Sequence, residues 1–201
     1  MADLKNINHI LIGYDRTQEY VINREIIRYN FTDGLDLWLT AVFNGDLDKI
    51  ASGCGENTFI TIPENTGYAY GALDAINAGL RFALAGYRDI VVLTNFDGFF
   101  FNQEKYENLI DDFIASGKPF GAGKHQSHEF PMSDLMLFKR DFLKEFLPLK
   151  AEVYPPRREI DFLQNEYEGT QLGFDNVEEW VLNGLHSIGD PNDLWWQFQR
   201  D

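Results

Sequence analysis

The chain has 201 residues, 44% apolar and 15% aromatic, a length and composition that suit one compact domain with a substantial buried core. Asp and Glu total 32 against 17 Lys and Arg, and the formal charge of -15 repels nucleic-acid phosphates, so no nucleic-acid partner is expected. The single cysteine, Cys54, can form neither an internal disulfide nor a thiolate metal cage; with no apolar run of roughly twenty residues and no basic-then-apolar start, no transmembrane or signal segment is expected, and the expected location is cytoplasmic.

Along the chain, "HILIGYD" (9–15) reads as a short apolar strand, and "TQEYVINREIIRYN" (17–30) as a helix on which Ile22, Ile26 and Tyr29 recur at helical spacing. "LDLWLTAVFNGD" (35–46) is rich in β-formers and closes on the turn pair Asn44-Gly45. A loop with Gly53 and Gly55 leads to the strand "TFITIP" (58–63). From Gly71 to about Ala85, Leu73, Ile76, Leu80 and Leu84 line one face of a helix that Gly86 can stop. The apolar strand "DIVVLT" (89–94) follows, then a helix over 103–115 with Tyr106, Leu109, Ile110 and Phe113 on its buried side. "FGAGKH" (120–125) reads as a strand, "SDLMLFKRDFLKEFL" (133–147) as a strand running into a helix, "YPPRRE" (154–159) as a rigid loop and "NVEEWVLNGL" (176–185) as a last amphipathic helix. Trp195 and Trp196 near the end can pack back on the domain or form a subunit contact, which would make the protein a homo-oligomer.

Strands alternating with helices imply crossover connections, hence an α/β fold with a mostly parallel central sheet covered on both faces. Ligands of such sheets sit beyond the carboxyl ends of the strands. The polar strand ends "GYDR" (13–16), "NGD" (44–46), "PEN" (63–65) and "NFD" (95–97) therefore fall on one rim, where a site can be assembled from four separate segments. Asp97 alone is equally explained as a turn or helix cap. Asn95 and Asp97, two apart at an extended strand end, can also aim an amide and a carboxylate oxygen the same way, the donor set that Mg2+ or Mn2+ takes against a diphosphate.

The segment "ENTGYAYGALDAINAGLRFALAGYRDIVVLTNFDGFF" (64–100) resembles the nucleotide-sugar-dependent glycosyltransferases of the GT-A fold, above all the family 2 enzymes of the rhamnosyltransferase kind. Those carry Glu-Asn-x-Gly-Phe-Ala-Gly-Gly, a helix bearing Asn-x-Gly, and a strand ending Leu-Asn-Asn-Asp or Leu-Asn-Pro-Asp. Glu64, Asn65, Gly67, Tyr68, Ala69, Gly71, Asn77 and Gly79 match in order, and Asn95-Phe96-Asp97 stands where the family has its metal-binding Asp-x-Asp or Asn-x-Asp. About four more residues separate Gly67 from Asn77 than in the usual pattern, close to one helical turn. Weaker similarity covers residues 8–147.

The resemblance implies a GT-A-like three-layer α/β/α sandwich forming a single domain, with a donor half over about 8–100 and an acceptor half over about 101–201. It implies transfer of a sugar from a nucleotide-diphosphate sugar to a glycan or other acceptor hydroxyl, with inversion and with Mn2+ or Mg2+ as cofactor. Donor contacts fall on Gly13, Tyr14, Asp15, Asp46, Asn65, Gly67, Asn77 and Asn95, and the metal on Asp97 with Asn95 and, as in some GT-A enzymes, a late histidine, His186. The catalytic base is expected among Asp175, Glu178 and Glu179, each of which also reads as a helix N-cap or a favourable first-turn charge. His125 and His128 read as a polar loop, and Arg157 and Arg158 as solvated side chains able to clamp a diphosphate. No Gly-x-Ser-x-Gly elbow or Walker phosphate loop is present. The rival readings are a GT-A-like protein that binds a glycan or nucleotide without turnover and a sugar-nucleotide pyrophosphorylase, whose Gly-rich, Arg-containing opening loop "GYDRTQEY" does not supply.

Overall fold

A computed structural model describes residues 2–14, 17–45, 56–63, 68–124, 131–148, 170–171 and 196–197. A 3-10 turn, Leu4–Asn6, opens the fold, with the Asp3 side chain accepting from the Lys5 amide at 3.0 Å. Then come β1 (Ile7–Gly13), α1 (Thr17–Asn30), β2 (Trp38–Asn44), β3 (Thr58–Ile62), α2 (Tyr68–Ala85), β4 (Ile90–Asn95) and the two-residue β5 (Gly98–Phe99). The chain continues through α3 (Gln103–Ala115), β6 (Phe120–Lys124) and β7 (Pro131–Lys139), a 3-10 turn Arg140–Phe142 and the single-turn α4 (Leu143–Phe146). Two short strands, β8 (Thr170–Gln171) and β9 (Trp196–Gln197), complete the described elements.

The main sheet has the strand order β3-β2-β1-β4-β7-β6-β8. Pairs β1–β2, β1–β4, β2–β3 and β6–β8 are parallel, whereas β7 runs antiparallel to both β4 and β6. Parallel strands need a crossover between them, and α1 makes it from β1 to β2 and α2 from β3 to β4.

The period of two along the strands sorts the core into two halves. Leu11, Leu39, Ala41, Phe43 and Val92 face Tyr20 and Ile27 of α1 and Tyr106, Leu109, Ile110 and Phe113 of α3. Ile10, Ile12, Val42, Val91 and Leu93 face Leu73, Ile76, Leu80 and Ala83 of α2 and Phe142 and Leu143 beyond β7. The result is the α/β/α sandwich expected from the alternation of elements. Each such Leu, Ile or Phe, fully buried, contributes roughly 1.5–3 kcal/mol, so both helical layers hold the sheet by the same force.

α3 runs over the expected residues, because Asn102 caps it by accepting from the Lys105 amide at 3.0 Å and Gly117, at φ 72°, takes the left-handed conformation just past its end. α2 begins three residues before the expected start. In α1 the stripe that repeats at helical spacing is the outer one: Ile22 is 48% and Tyr29 78% exposed. The buried face is Tyr20, Asn23, Arg24, Ile27 and Arg28; the Tyr20 hydroxyl, the Asn23 side-chain nitrogen and both guanidinium groups find partners in the fold, while the Asn23 side-chain oxygen has none among the described residues. No helix among the described residues is long and apolar enough to cross a membrane.

Candidate functional site

The strand registers bring four carboxyl ends to one level. Gly13 pairs with Phe43, Ile12 with Asn95, and Asn44 with Ile62, so Gly13-Tyr14, Asn44-Gly45, Ile62-Pro63 and Asn95 share a single rim. The Gly45 amide donates to the Ile62 carbonyl at 2.9 Å, and the Asn44 amide nitrogen donates to the Gly71 carbonyl, tying the end of β2 to the first turns of α2. Tyr14 stands at this rim 56% exposed, its ring over Gly45. Gly45 has φ +141°, and a Cβ there would lie 2.6 Å from the Tyr14 ring, so glycine satisfies both the backbone and the ring.

Past Asn95 the chain turns through Phe96 and Asp97 before β5. The Phe96 amide donates to the Ile12 carbonyl at 2.8 Å, and the Phe96 ring drops into the α1-side core against Phe43, 4.6 Å between centroids, and Tyr20, 5.1 Å. Gly13 makes room for it, since a Cβ on that residue would lie 2.2 Å from the Phe96 ring. From α1, the Asn23 side-chain nitrogen donates to the carbonyls of Phe96, at 3.2 Å, and of Gly98. Asp97, between those two residues, is 3% exposed, while Asn95 is half-buried.

Two polar clusters lie beneath the rim. The Tyr20 hydroxyl donates to Glu56 Oε2 at 2.7 Å, and the Arg24 guanidinium lies 3.6 Å from the same oxygen. Burial, then the bond to the Glu56 carboxylate, raises the Tyr20 hydroxyl far above the usual phenol range. Arg28 donates to the carbonyls of Gly34 and Leu37 and to Asn57 Oδ1, the last at 2.7 Å; Asn57 Oδ1 also accepts from the Leu39 amide. Burial lowers the Arg28 pKa from its ordinary value. The second cluster joins β1, β4 and α3. His9 is fully buried, with Nε2 2.9 Å from Thr94 Oγ1, Nδ1 3.2 Å from the Tyr106 hydroxyl, and its ring stacked on Tyr106. Burial first, and the charge of Arg28 second, push its pKa down to about 3, so His9 is neutral at ordinary pH.

Of the residues singled out from the sequence, Gly13, Tyr14, Asn95 and Asp97 come together at the rim. Asn77 lies within α2, roughly 13 Å along the axis from its first residue. Two residues on, Gly79 packs against Ile10 and Val42, in the middle of β1 and β2. Asp15, Asp46, Asn65, Gly67, Asp175, Glu178, Glu179 and His186 lie outside the described residues, as do His125, His128, Arg157 and Arg158. Among the described residues, no three His, Cys, Asp or Glu side chains gather as a metal cluster. Sequence reasoning missed Asn23, Glu56 and His9. Asn23 did carry a signal, being an amide on the same stripe as Tyr20 and Ile27.

No protein-family profile matches the chain, and no curated protein matches it in sequence. Its shape does have solved counterparts. A mannosyltransferase from Pyrobaculum calidifontis, determined with GDP-Man and Mn2+, is similar at 14% identity and TM-score 0.58, over 83% of this chain and 54% of that one. S. aureus TarS is similar at 10% identity and TM-score 0.55, over 83% and 57%. The glycosyltransferase GlyE of Streptococcus pneumoniae is similar at 8% identity and TM-score 0.58, over 96% and 54%. The chain thus spans just over half the length of these proteins. What they share with it is the fold, a GT-A-like α/β/α sandwich around a mostly parallel sheet, with the polar strand ends of this chain on its rim.

Proposed function

We propose that the chain is a glycosyltransferase of the family 2, rhamnosyltransferase-like kind, moving a hexosyl or deoxyhexosyl group from a nucleotide diphosphate to an acceptor hydroxyl with inversion. The observation that carries this reading is the Asp97 turn, fixed from β1 and α1 at the rim where the ends of β1, β2, β3 and β4 meet. The likeness in fold to glycosyltransferases, one of them determined with a nucleotide sugar and Mn2+, supports it. In this reading Tyr14 and Gly13 line the nucleotide, with Asp15 and Asp46 toward ribose and base, and Asn65, Gly67 and Asn77 complete the donor half. The acceptor half follows from about residue 101. The single cysteine fits a reducing, cytoplasmic setting.

The donor set suits a hard divalent ion. Asp97 supplies a carboxylate and Asn95 an amide oxygen, and Mg2+ or Mn2+ is commonly held by one or two carboxylates with phosphate oxygens and water filling the remaining positions. His186 is a further ligand in this reading. When bound there, the ion would offset negative charge on the departing diphosphate. One of Asp175, Glu178 and Glu179 takes the proton from the acceptor hydroxyl as its oxygen bonds to the anomeric carbon; the diphosphate leaves with the electron pair of the broken bond.

The test is a panel of nucleotide sugars with and without Mn2+, read as release of nucleoside diphosphate. Slow, metal-dependent release from one donor is expected, and one single replacement among Asp175→Asn, Glu178→Gln and Glu179→Gln should abolish it while donor affinity stays. Three active variants would exclude that base assignment. Nucleotide binding without release would favour the non-catalytic reading, which Asn95 in place of the commoner Asp makes specific. Formation of sugar nucleotide from a sugar phosphate and a nucleoside triphosphate would mean a pyrophosphorylase.

A further inference from the structure

Asn23 is fully buried in the middle of α1, and its one side-chain nitrogen donates both hydrogens to backbone carbonyls that flank a single residue, those of Phe96 and Gly98. The residue between them is Asp97. The amide oxygen of Asn23 is buried with no hydrogen-bond partner among the described residues, so Asn23 carries a penalty that an apolar residue of the same shape would not. Tyr20 and Ile27, its neighbours on the same stripe, belong to the α1-side core, where such a residue would fit. What Asn23 adds is the fixed position of two peptide units. The bond from the Phe96 amide to the Ile12 carbonyl holds the turn from β1, and Asn23 holds it from α1.

We propose that Asn23 is a positioning residue of the donor site: it fixes the turn on either side of Asp97 so that the carboxylate is presented in one orientation to a metal-bound nucleoside diphosphate. The inference rests on the reading of Asp97 as a donor-site carboxylate. Preorganisation of this kind matters because a freely moving carboxylate must be ordered when the ligand binds, which lowers affinity without removing any contact.

The experiment compares wild type, Asn23→Leu, Asn23→Asp, Asp97→Ala and Leu109→Ala, the last a core change on α3. Two quantities are read: backbone amide hydrogen exchange at residues 97–99, and calorimetric affinity for UDP, GDP, dTDP and CDP with and without Mn2+. In both Asn23 variants, exchange at 97–99 should rise about tenfold or more beyond that of a Leu109→Ala protein of similar Tm. The Mn2+-dependent part of nucleotide affinity should fall by a similar factor, with metal-free affinity unchanged. Asn23→Asp keeps the shape and leaves at most one donor for the two carbonyls, so it carries the test if the leucine variant fails to fold. Exchange and affinity matching those of Leu109→Ala would overturn the proposal. Affinity that depends on Asp97 but not on Asn23 would overturn it while leaving the donor site standing. A wild type with no metal-dependent nucleotide binding would overturn the reading of Asp97 and this role together.

Discussion

His9 gives the fold a pH dependence whose sign and size follow from its surroundings. Its native pKa is lowered to about 3 from the ordinary 6.5, so between those values the native state holds the ring neutral while the unfolded chain binds a proton. Where the unfolded state binds more protons, stability rises with pH, so acidification through this window destabilises the protein. Going from about pH 7 to about pH 4.5 crosses roughly two pH units below the unfolded pKa, at about 1.4 kcal/mol each, for a loss of about 3 kcal/mol from this one residue. His9→Gln removes the titration while keeping a donor and an acceptor near Thr94 and Tyr106. Urea unfolding of both proteins at several pH values, followed by tryptophan fluorescence, isolates the effect, because acidic side chains titrate in both and cancel in the difference. At neutral pH the variant should be the less stable by about 1–3 kcal/mol, and its deficit should shrink by about 3 kcal/mol near pH 4.5. A deficit that stays constant to within about 0.5 kcal/mol over this range would mean that His9 binds its proton as readily in the folded protein as in the unfolded chain, against the burial seen here.

Three further perturbations address the support of the rim. Gly13→Ala sets a methyl 2.2 Å from the Phe96 ring, which Tyr20 and Phe43 confine; it should cost about 1–3 kcal/mol in urea and weaken metal-dependent nucleotide binding through the displaced turn. Tyr20→Phe removes the donor to Glu56 but leaves Arg24 beside the carboxylate, so a loss of about 1.5–3 kcal/mol is expected, and an unchanged midpoint would show that bond to be immaterial. Arg28→Met withdraws donors from Gly34, Leu37 and Asn57 at once and should lower stability by about 3 kcal/mol or more, read as a Tm shift; a smaller loss would mean that water replaces the guanidinium.

The parts of the fold written in apolar periodicity were legible in the sequence. α3 follows from Tyr106, Leu109, Ile110 and Phe113, and β4 from its unbroken run of Ile90, Val91, Val92 and Leu93, because burial alone decides those residues. α1 shows where that logic stops. Its extent was readable, yet its buried face was not, because Arg28 goes inside on Asn57 and the Gly34 and Leu37 carbonyls, and Arg24 on Glu56 as well as its neighbour Glu25; apart from Glu25 these partners lie outside the helix. His9 is similar: nothing in "HILIGYD" says that Thr94 and Tyr106 will meet its ring. β5 has no local signature either, since its pairing with β9 joins Gly98 and Phe99 to Gln197 and Trp196, far along the chain. At the rim, "NFD" was visible as polar residues closing a strand, but its clamp by Asn23 needed the packing of α1 against β5.

Calorimetric titration of wild type and Asp97→Ala with UDP, GDP, dTDP and CDP, with and without Mn2+, decides whether Asp97 belongs to a metal-dependent nucleotide site. One nucleotide should bind in a metal-dependent way, and this component should be lost in the variant. Equal binding by both proteins, or no binding of any nucleotide, would contradict it and leave Asp97 as the cap of a turn.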